Sequence, residues 1–166
     1  MKKYVDFDGV IFDSLRLLFD EEYKGLKIDN ETERTEYIQN KDWNLILEKS
    51  EVINDAINIL KELKDVSILT RVNSLENEAT AKIKKIRSLG LKNEIILAPH
   101  TVNKTDIVNP VGNILIDDTL AVLDDWKEKG GISIFFNKDN LDVDGSGTIN
   151  KDYPKISSLE YLKKFE

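Results

Sequence analysis

The chain reads as a doubly wound α/β domain: a parallel sheet covered by helices on both faces, with a small helical insertion after the first strand. Three observations carry this. Short segments rich in Ile and Val recur along the 166 residues, several of them apolar on both faces, as strands of a buried parallel sheet are. Stretches with apolar residues at helical spacing lie between them, and strands alternating with helices imply βαβ units. Residues 15–50 interrupt that alternation.

The strands are expected around Tyr4 and Val5, then at Val66-Ser67-Ile68-Leu69, Glu94-Ile95-Ile96-Leu97, Asn113-Ile114-Leu115-Ile116 and Ile132-Ser133-Ile134-Phe135-Phe136. Residues 15–50 are polar and helical in character, with Trp43, Leu45, Ile46 and Leu47 near their end. From Val52 to Leu63 the apolar positions Val52, Ile53, Ala56, Ile59, Leu60 and Leu63 trace one helical stripe. A second helix is expected over Leu75–Leu89, with Ala79, Ile83 and Ile86 on its stripe and Gly90 as its stop. A third begins at Thr119 and ends before Gly130-Gly131. Asn137 to Asp152 reads as a loop, and Ser157 or Ser158 as the cap of a short helix from Leu159 to Phe165.

Composition narrows the chemistry. The 40% hydrophobic and 33% charged content is that of an ordinary globular chain. No apolar run approaches the roughly 18 residues of a membrane-spanning helix. The aspartates after Val5 exclude a secretory leader of the usual kind. Cysteine is absent, which removes disulfides and thiolate metal sites and suits a cytoplasmic protein. One histidine, His100, cannot build a multi-histidine zinc site, so any metal would be held by oxygens, which favours Mg²⁺ or Ca²⁺. A net charge of −7 repels a phosphate polymer, so no nucleic-acid polymer is expected as partner, whereas a small phosphorylated molecule needs only one local positive site.

In open α/β sheets ligands sit beyond the carboxyl ends of the strands. The first strand is followed by Asp6-Phe7-Asp8-Gly9-Val10, the second by Thr70-Arg71, the fourth by Asp117-Asp118-Thr119, and Lys104 stands before a short helix between strands three and four. Carboxylates from two strand ends suit Mg²⁺ and leave room for water and a phosphate. With charge neutralised by metal and lysine, one carboxylate can attack phosphorus while another two residues on protonates the leaving oxygen.

These segments resemble the four motifs of the haloacid-dehalogenase-like hydrolases, in order and over nearly the whole chain. Asp6-Phe7-Asp8-Gly9-Val10 is similar to the first motif, Ser67-Ile68-Leu69-Thr70 to the second, Lys104 to the third and Ile114-Leu115-Ile116-Asp117-Asp118 to the fourth. The resemblance implies a single domain over residues 1–166, with residues 15–50 as a small cap. It implies Asp6 as nucleophile and Mg²⁺ ligand, and Asp8 as acid/base lending its backbone carbonyl to the metal. Thr70 and Lys104 would bind the phosphate. Asp118 would be a direct ligand and Asp117 an outer partner, an assignment that could be reversed. Asp8 argues against dehalogenation, whose enzymes in this superfamily lack the second aspartate.

The segment Asn113 to Asn137 is similar to the deoxyribonucleotidase-like branch, whose fourth motif is also a paired Asp-Asp, so a nucleoside 5′-monophosphate is the favoured substrate. A sugar-phosphate phosphatase or phosphomutase on the same scaffold is the alternative. Phe12, Ser14 and Arg71 are expected near the mouth of the site, Arg71 as a further phosphate contact. His100 reads as structural or solvent-facing, and Trp43 and Trp126 as packing residues.

Two readings from other classes remain. The run Asp142-Val143-Asp144-Gly145-Ser146-Gly147-Thr148-Ile149-Asn150 matches the first nine positions of an EF-hand calcium loop, but Tyr153 stands where a bidentate Glu is needed and no incoming helix precedes it. A turn-rich loop is the simpler reading. A non-catalytic interaction module is the other, though binding alone gives no reason for the full set of acids and Lys104.

Overall fold

The computed structural model describes residues 1–166. Strand β1 (Lys3–Val5) is followed by four short helices, α1 (Leu15–Leu18), α2 (Glu21–Gly25), α3 (Glu31–Gln39) and α4 (Trp43–Lys49). Then come α5 (Ala56–Glu62), β2 (Val66–Val72), α6 (Thr80–Ser88), β3 (Ile95–Pro99), α7 (Lys104–Ile107), β4 (Ile114–Asp117), α8 (Leu120–Glu128), β5 (Ile132–Phe136) and β6 (Lys155–Ile156). A 3₁₀ helix, Leu159–Phe165, ends the chain.

All six strands are parallel, in the order β3-β2-β1-β4-β5-β6. The chain moves outward from β1 to β3, returns to the centre at β4 and moves outward on the other side. The crevice where the order reverses therefore lies between β1 and β4, with Tyr4 in register with Leu115 and Val5 with Ile116.

Alternation along the strands supplies both cores. Val5, Ile68, Ile114, Ile116, Ile134 and Phe136 face one side, where the insertion, α5 and α6 cover them. Tyr4, Leu69, Leu115 and Phe135 face the other and meet Leu120, Leu123 and Trp126 of α8. Trp126 stacks edge-on to Tyr4 with ring centroids 5.6 Å apart and donates Nε1–H to the Asn113 carbonyl. Gly131 is required beside it, since a Cβ there would collide with the indole.

Helices α1 to α4 fall within residues 15–50, and their apolar residues Leu18, Ile38, Trp43, Ile46 and Leu47 join the main core instead of forming one of their own. Trp43 is buried and donates to the Ile38 carbonyl, so both tryptophans are packing residues as expected.

Three local differences from the sequence reading have physical causes. Strand β6 is too short for a periodic signal and exists by pairing with Phe135 and Phe136. The helix expected from Leu75 opens with a π-helical turn over Leu75–Ala79, in which Ala79 N–H donates to the Ser74 carbonyl five residues back. Phe12 lies in the core against Phe7, 5.0 Å between ring centroids, not at a site mouth.

Candidate active site

The carboxyl ends of β1 and β4 place their carboxylates face to face. Asp6 follows β1 directly, held by its backbone N–H on the Ile116 carbonyl at 2.9 Å. Asp117 ends β4. One oxygen from each of Asp6, Asp117 and Asp118 fits within a span of 4.8 Å. Lys104, first residue of α7, reaches between the strands and donates to Asp6 Oδ1 and Asp117 Oδ2, both at 2.7 Å.

Gly9 makes this close approach possible. Its φ is +80°, favourable only to glycine, and a Cβ there would collide with Asp118 Oδ2. The backbone turn after the Asp6–Asp8 run thus fits against a carboxylate delivered from a different strand.

A cavity of about 340 Å³ opens above these residues, lined by Asp6, Asp8, Arg71, Asn103, Lys104, Asp117, Asp118 and Asp125. Its apolar wall is Leu15, Ala98, Val102, Ala121 and Val122, with no aromatic side chain, and Leu15 alone comes from the insertion. Arg71 is exposed at the rim, its guanidinium tied to the His100 carbonyl at 2.5 Å. Of the residues expected from sequence, Thr70, Phe12 and Ser14 stay outside the cavity lining, and Thr70 is the one among them expected to bind phosphate. It is fully buried and its hydroxyl accepts a hydrogen bond from Lys82.

The two neighbouring aspartates at the carboxyl end of β4 differ in what they already hold. Asp117 accepts from Lys104 through Oδ2 and from the Thr119 N–H through Oδ1, so both oxygens are engaged. Asp118 accepts only a 3.3 Å bond from the Thr119 hydroxyl at Oδ1.

Electrostatics reflect this crowding. Burial pushes the Asp6 carboxyl up to about 7, Lys104 opposes the shift, and Asp117 and Asp8 reinforce it. Asp118 is also raised well above the usual carboxylate range, first by burial and then by Asp117 and Asp6. Burial alone would lower the Lys104 ammonium, but Asp117 and Asp6 more than offset that and hold it above the ordinary lysine value. The site carries more negative charge than its lysine balances, and its donors are all oxygens. That is the environment a hard divalent cation relieves.

One residue escaped the sequence reading and another lies elsewhere than expected. Lys82 of α6 is fully buried and donates to Asp8 Oδ2 at 2.6 Å. Ser14 is equally buried, and its hydroxyl donates to Asp8 Oδ1 at 2.5 Å. Ser14 was expected at the mouth and sits behind Asp8 instead. The signal for Lys82 was its position: with Ala79 and Ile86 it falls on the buried stripe of its helix, and a lysine there requires a buried acid.

The Asp142–Asn150 loop forms no calcium cradle. Asp144 Oδ2 accepts the Leu120 N–H at the start of α8, and Oδ1 accepts from Ser146 N–H, the Ser146 hydroxyl and Thr148 N–H. Its carboxylate closes the turn and caps the helix that Thr119 leaves uncapped. Asp142 pairs with Lys155 at 3.2 Å.

No protein-family model and no curated protein sequence matches the chain. Solved structures do. A haloacid-dehalogenase-like protein of Agrobacterium tumefaciens superposes with a TM-score of 0.63 at 13% identity, over 98% of this chain and 96% of the other. The fold is that of the haloacid-dehalogenase-like hydrolases. A hydrolase of that kind from Streptococcus pneumoniae gives 0.60 at 14% identity, over 99% and 98% of the two chains. A D,D-heptose 1,7-bisphosphate phosphatase from B. bronchiseptica, solved with magnesium and phosphate, gives 0.58 at 14% identity over the full length of both. No helix of the chain is long and apolar enough to cross a membrane.

Proposed function

We propose that the chain is a magnesium-dependent phosphomonoester hydrolase working through an aspartyl phosphate on Asp6. The observation that carries this is the convergence of Asp6, Asp8, Asp117, Asp118 and Lys104 on one cavity at the crevice between β1 and β4.

Asp6 would attack phosphorus, forming the carboxylate–phosphorus bond as the ester oxygen departs, and Asp8 would give that oxygen its proton. Water would then attack phosphorus and break the bond to Asp6, its proton passing to Asp8. Both protons are accounted for on one carboxyl, which ends as it began. Lys104 and Arg71 would hold phosphate oxygens, and Thr70, given that part by the family resemblance, lies behind the cavity with its hydroxyl engaged by Lys82. The ligands of Mg²⁺ would be Asp6, Asp118 and the Asp8 backbone carbonyl, with Asp117 as the outer partner because both its oxygens are engaged. When bound, the ion would neutralise charge on the transferring phosphate.

A nucleoside 5′-monophosphate is the favoured substrate, supported by the paired Asp117-Asp118 that resembles the deoxyribonucleotidase-like branch. A sugar phosphate is the second reading. It is favoured by the absence of any aromatic side chain from the cavity wall, where a base would have nothing to stack on, and by the likeness to a heptose bisphosphate phosphatase. Cavity chemistry suits a small phosphorylated metabolite in either case, and the chain's lack of cysteine fits a cytoplasmic setting.

Phosphate release from nucleoside monophosphates and sugar phosphates, with Mg²⁺ and with chelator, tests the proposal. Magnesium-dependent release from nucleotides supports it in full. Release from sugar phosphates alone keeps the mechanism and moves the substrate to the second reading. No release from either set contradicts it.

A further inference from the structure

We propose that Lys82 is a positioning residue for the hydrolysis, fixing the Asp8 carboxylate at the angle from which it can serve the leaving oxygen. The inference rests on the phosphatase reading above and adds a residue that the four-motif resemblance leaves without a part.

Lys82 lies one helix away from the strand ends that carry the rest of the site. Its ammonium meets four acceptors: Asp8 Oδ2 and Glu78 Oε2 at 2.6 Å, the Arg71 carbonyl at 3.0 Å and the Thr70 hydroxyl at 3.1 Å. An ammonium has three N–H donors, so these acceptors share them and leave none free to solvent. The rings of Phe7 and Trp43 stand over the same nitrogen, each with its centroid 5.1 Å away. The nitrogen therefore has no alternative position to swing into.

Its far side is anchored too. Glu78 accepts from the backbone N–H and the side-chain amide of Asn73 at 2.9 and 3.0 Å, and its own N–H donates to the Ser74 hydroxyl at 3.0 Å. The π-helical turn is what brings Glu78 inward, one turn before Lys82. A chain of fixed bonds thus runs from the backbone after β2, through Glu78 and Lys82, to one oxygen of Asp8, while Ser14 holds the other.

A lysine buried only for packing is neutralised by a single acid, and Glu78 alone would do that. The second acid here is one that lines the cavity. Held at both oxygens, Asp8 cannot turn toward Asp6 or toward solvent, which is the restriction a proton donor needs to meet its acceptor in line.

Single-turnover release of phenol from phenyl phosphate, beside p-nitrophenol from p-nitrophenyl phosphate, tests this in Lys82→Met. Removing Lys82 strands Glu78 as a buried unpaired charge, which is strongly destabilising, so Glu78→Gln/Lys82→Met is measured in parallel and either variant is scored only where thermal melting shows a folded protein. Phenolate needs the proton far more than nitrophenolate does. Loss of a well-placed general acid costs about 10²–10⁴-fold. The expected result is a loss in that range on phenyl phosphate, a much smaller one on p-nitrophenyl phosphate, and KM little changed. Equal losses on the two substrates, or wild-type rates in a folded variant, would overturn the role. A wild type inert toward both esters with Mg²⁺ fails differently: it removes the phosphatase reading and this inference with it.

Discussion

The chain contains the pattern Asp-x-Asp-Gly twice, as Asp6-Phe7-Asp8-Gly9 after β1 and as Asp142-Val143-Asp144-Gly145 after β5, and the two copies do opposite things. In the second, Asp144 is buried, yet bonds from Ser146, Leu120 and Thr148 outweigh burial and hold its carboxyl below the usual range. Its carboxylate oxygens are satisfied by its own loop and by the first N–H of α8. In the first, Asp6 has one lysine at 2.7 Å and two neighbouring carboxylates, and its pKa rises to about 7. The difference is donors. A carboxylate saturated by N–H groups is structural, whereas one that shares a single cation with other carboxylates is left with capacity for a metal and a substrate.

Substituting one aspartate in each loop should separate the two roles. Asp6→Asn should abolish turnover, by several orders of magnitude because the covalent step is lost, while a cooperative thermal transition shows the fold intact. Retained phosphate release would exclude Asp6 as nucleophile. Asp144→Ala should do the reverse. Three N–H donors and a hydroxyl would lose their charged acceptor, costing about 1–3 kcal/mol of stability, readable by denaturant titration, with kcat/KM within a few-fold of wild type at 25 °C.

Acidity gives a smaller contrast of opposite sign. Asp6 binds its proton more tightly folded than unfolded, so the metal-free protein should lose stability as pH rises from about 4 to about 7, by on the order of 1 kcal/mol per pH unit at most, and Asp6→Asn should flatten that slope. Asp144 binds its proton less tightly folded than unfolded, so its contribution is present above about pH 4 and is lost only as the pH falls through its lowered value. The same asymmetry predicts that Mg²⁺ raises the melting temperature more at pH 8, where Asp6 and Asp118 are more fully ionised, than at pH 5.5. An equal shift at both pH values would argue that the ion does not bind at the Asp6 end.

Much of the site was legible because it is written in strand exits. An apolar strand followed by aspartate places a carboxylate in the crevice whatever the rest of the chain does, and the order of Asp6, Thr70, Lys104 and Asp117-Asp118 follows from alternating strands and helices. What was not legible depends on contacts distant in sequence. Lys82 reaches Asp8 across 74 residues. Residues 15–50 have helical character in the sequence and hold α1 to α4, but whether Leu18, Trp43 and Leu47 would form a separate core or join the main one depends on how α4 meets α6, which no local pattern encodes. The second Asp-x-Asp-Gly run looked like a calcium loop because spacing records which oxygens are present, not which N–H groups have already taken them.

Chemical trapping of the covalent intermediate tests the central claim most directly. Turnover by the wild type with Mg²⁺ is quenched, reduced with borohydride and located by peptide mass spectrometry, since borohydride converts an aspartyl phosphate to homoserine. The account predicts homoserine at position 6 and nowhere else, absent when chelator replaces Mg²⁺. Reduction at Asp8, Asp117 or Asp118, or phosphate release with no reducible intermediate, would contradict it.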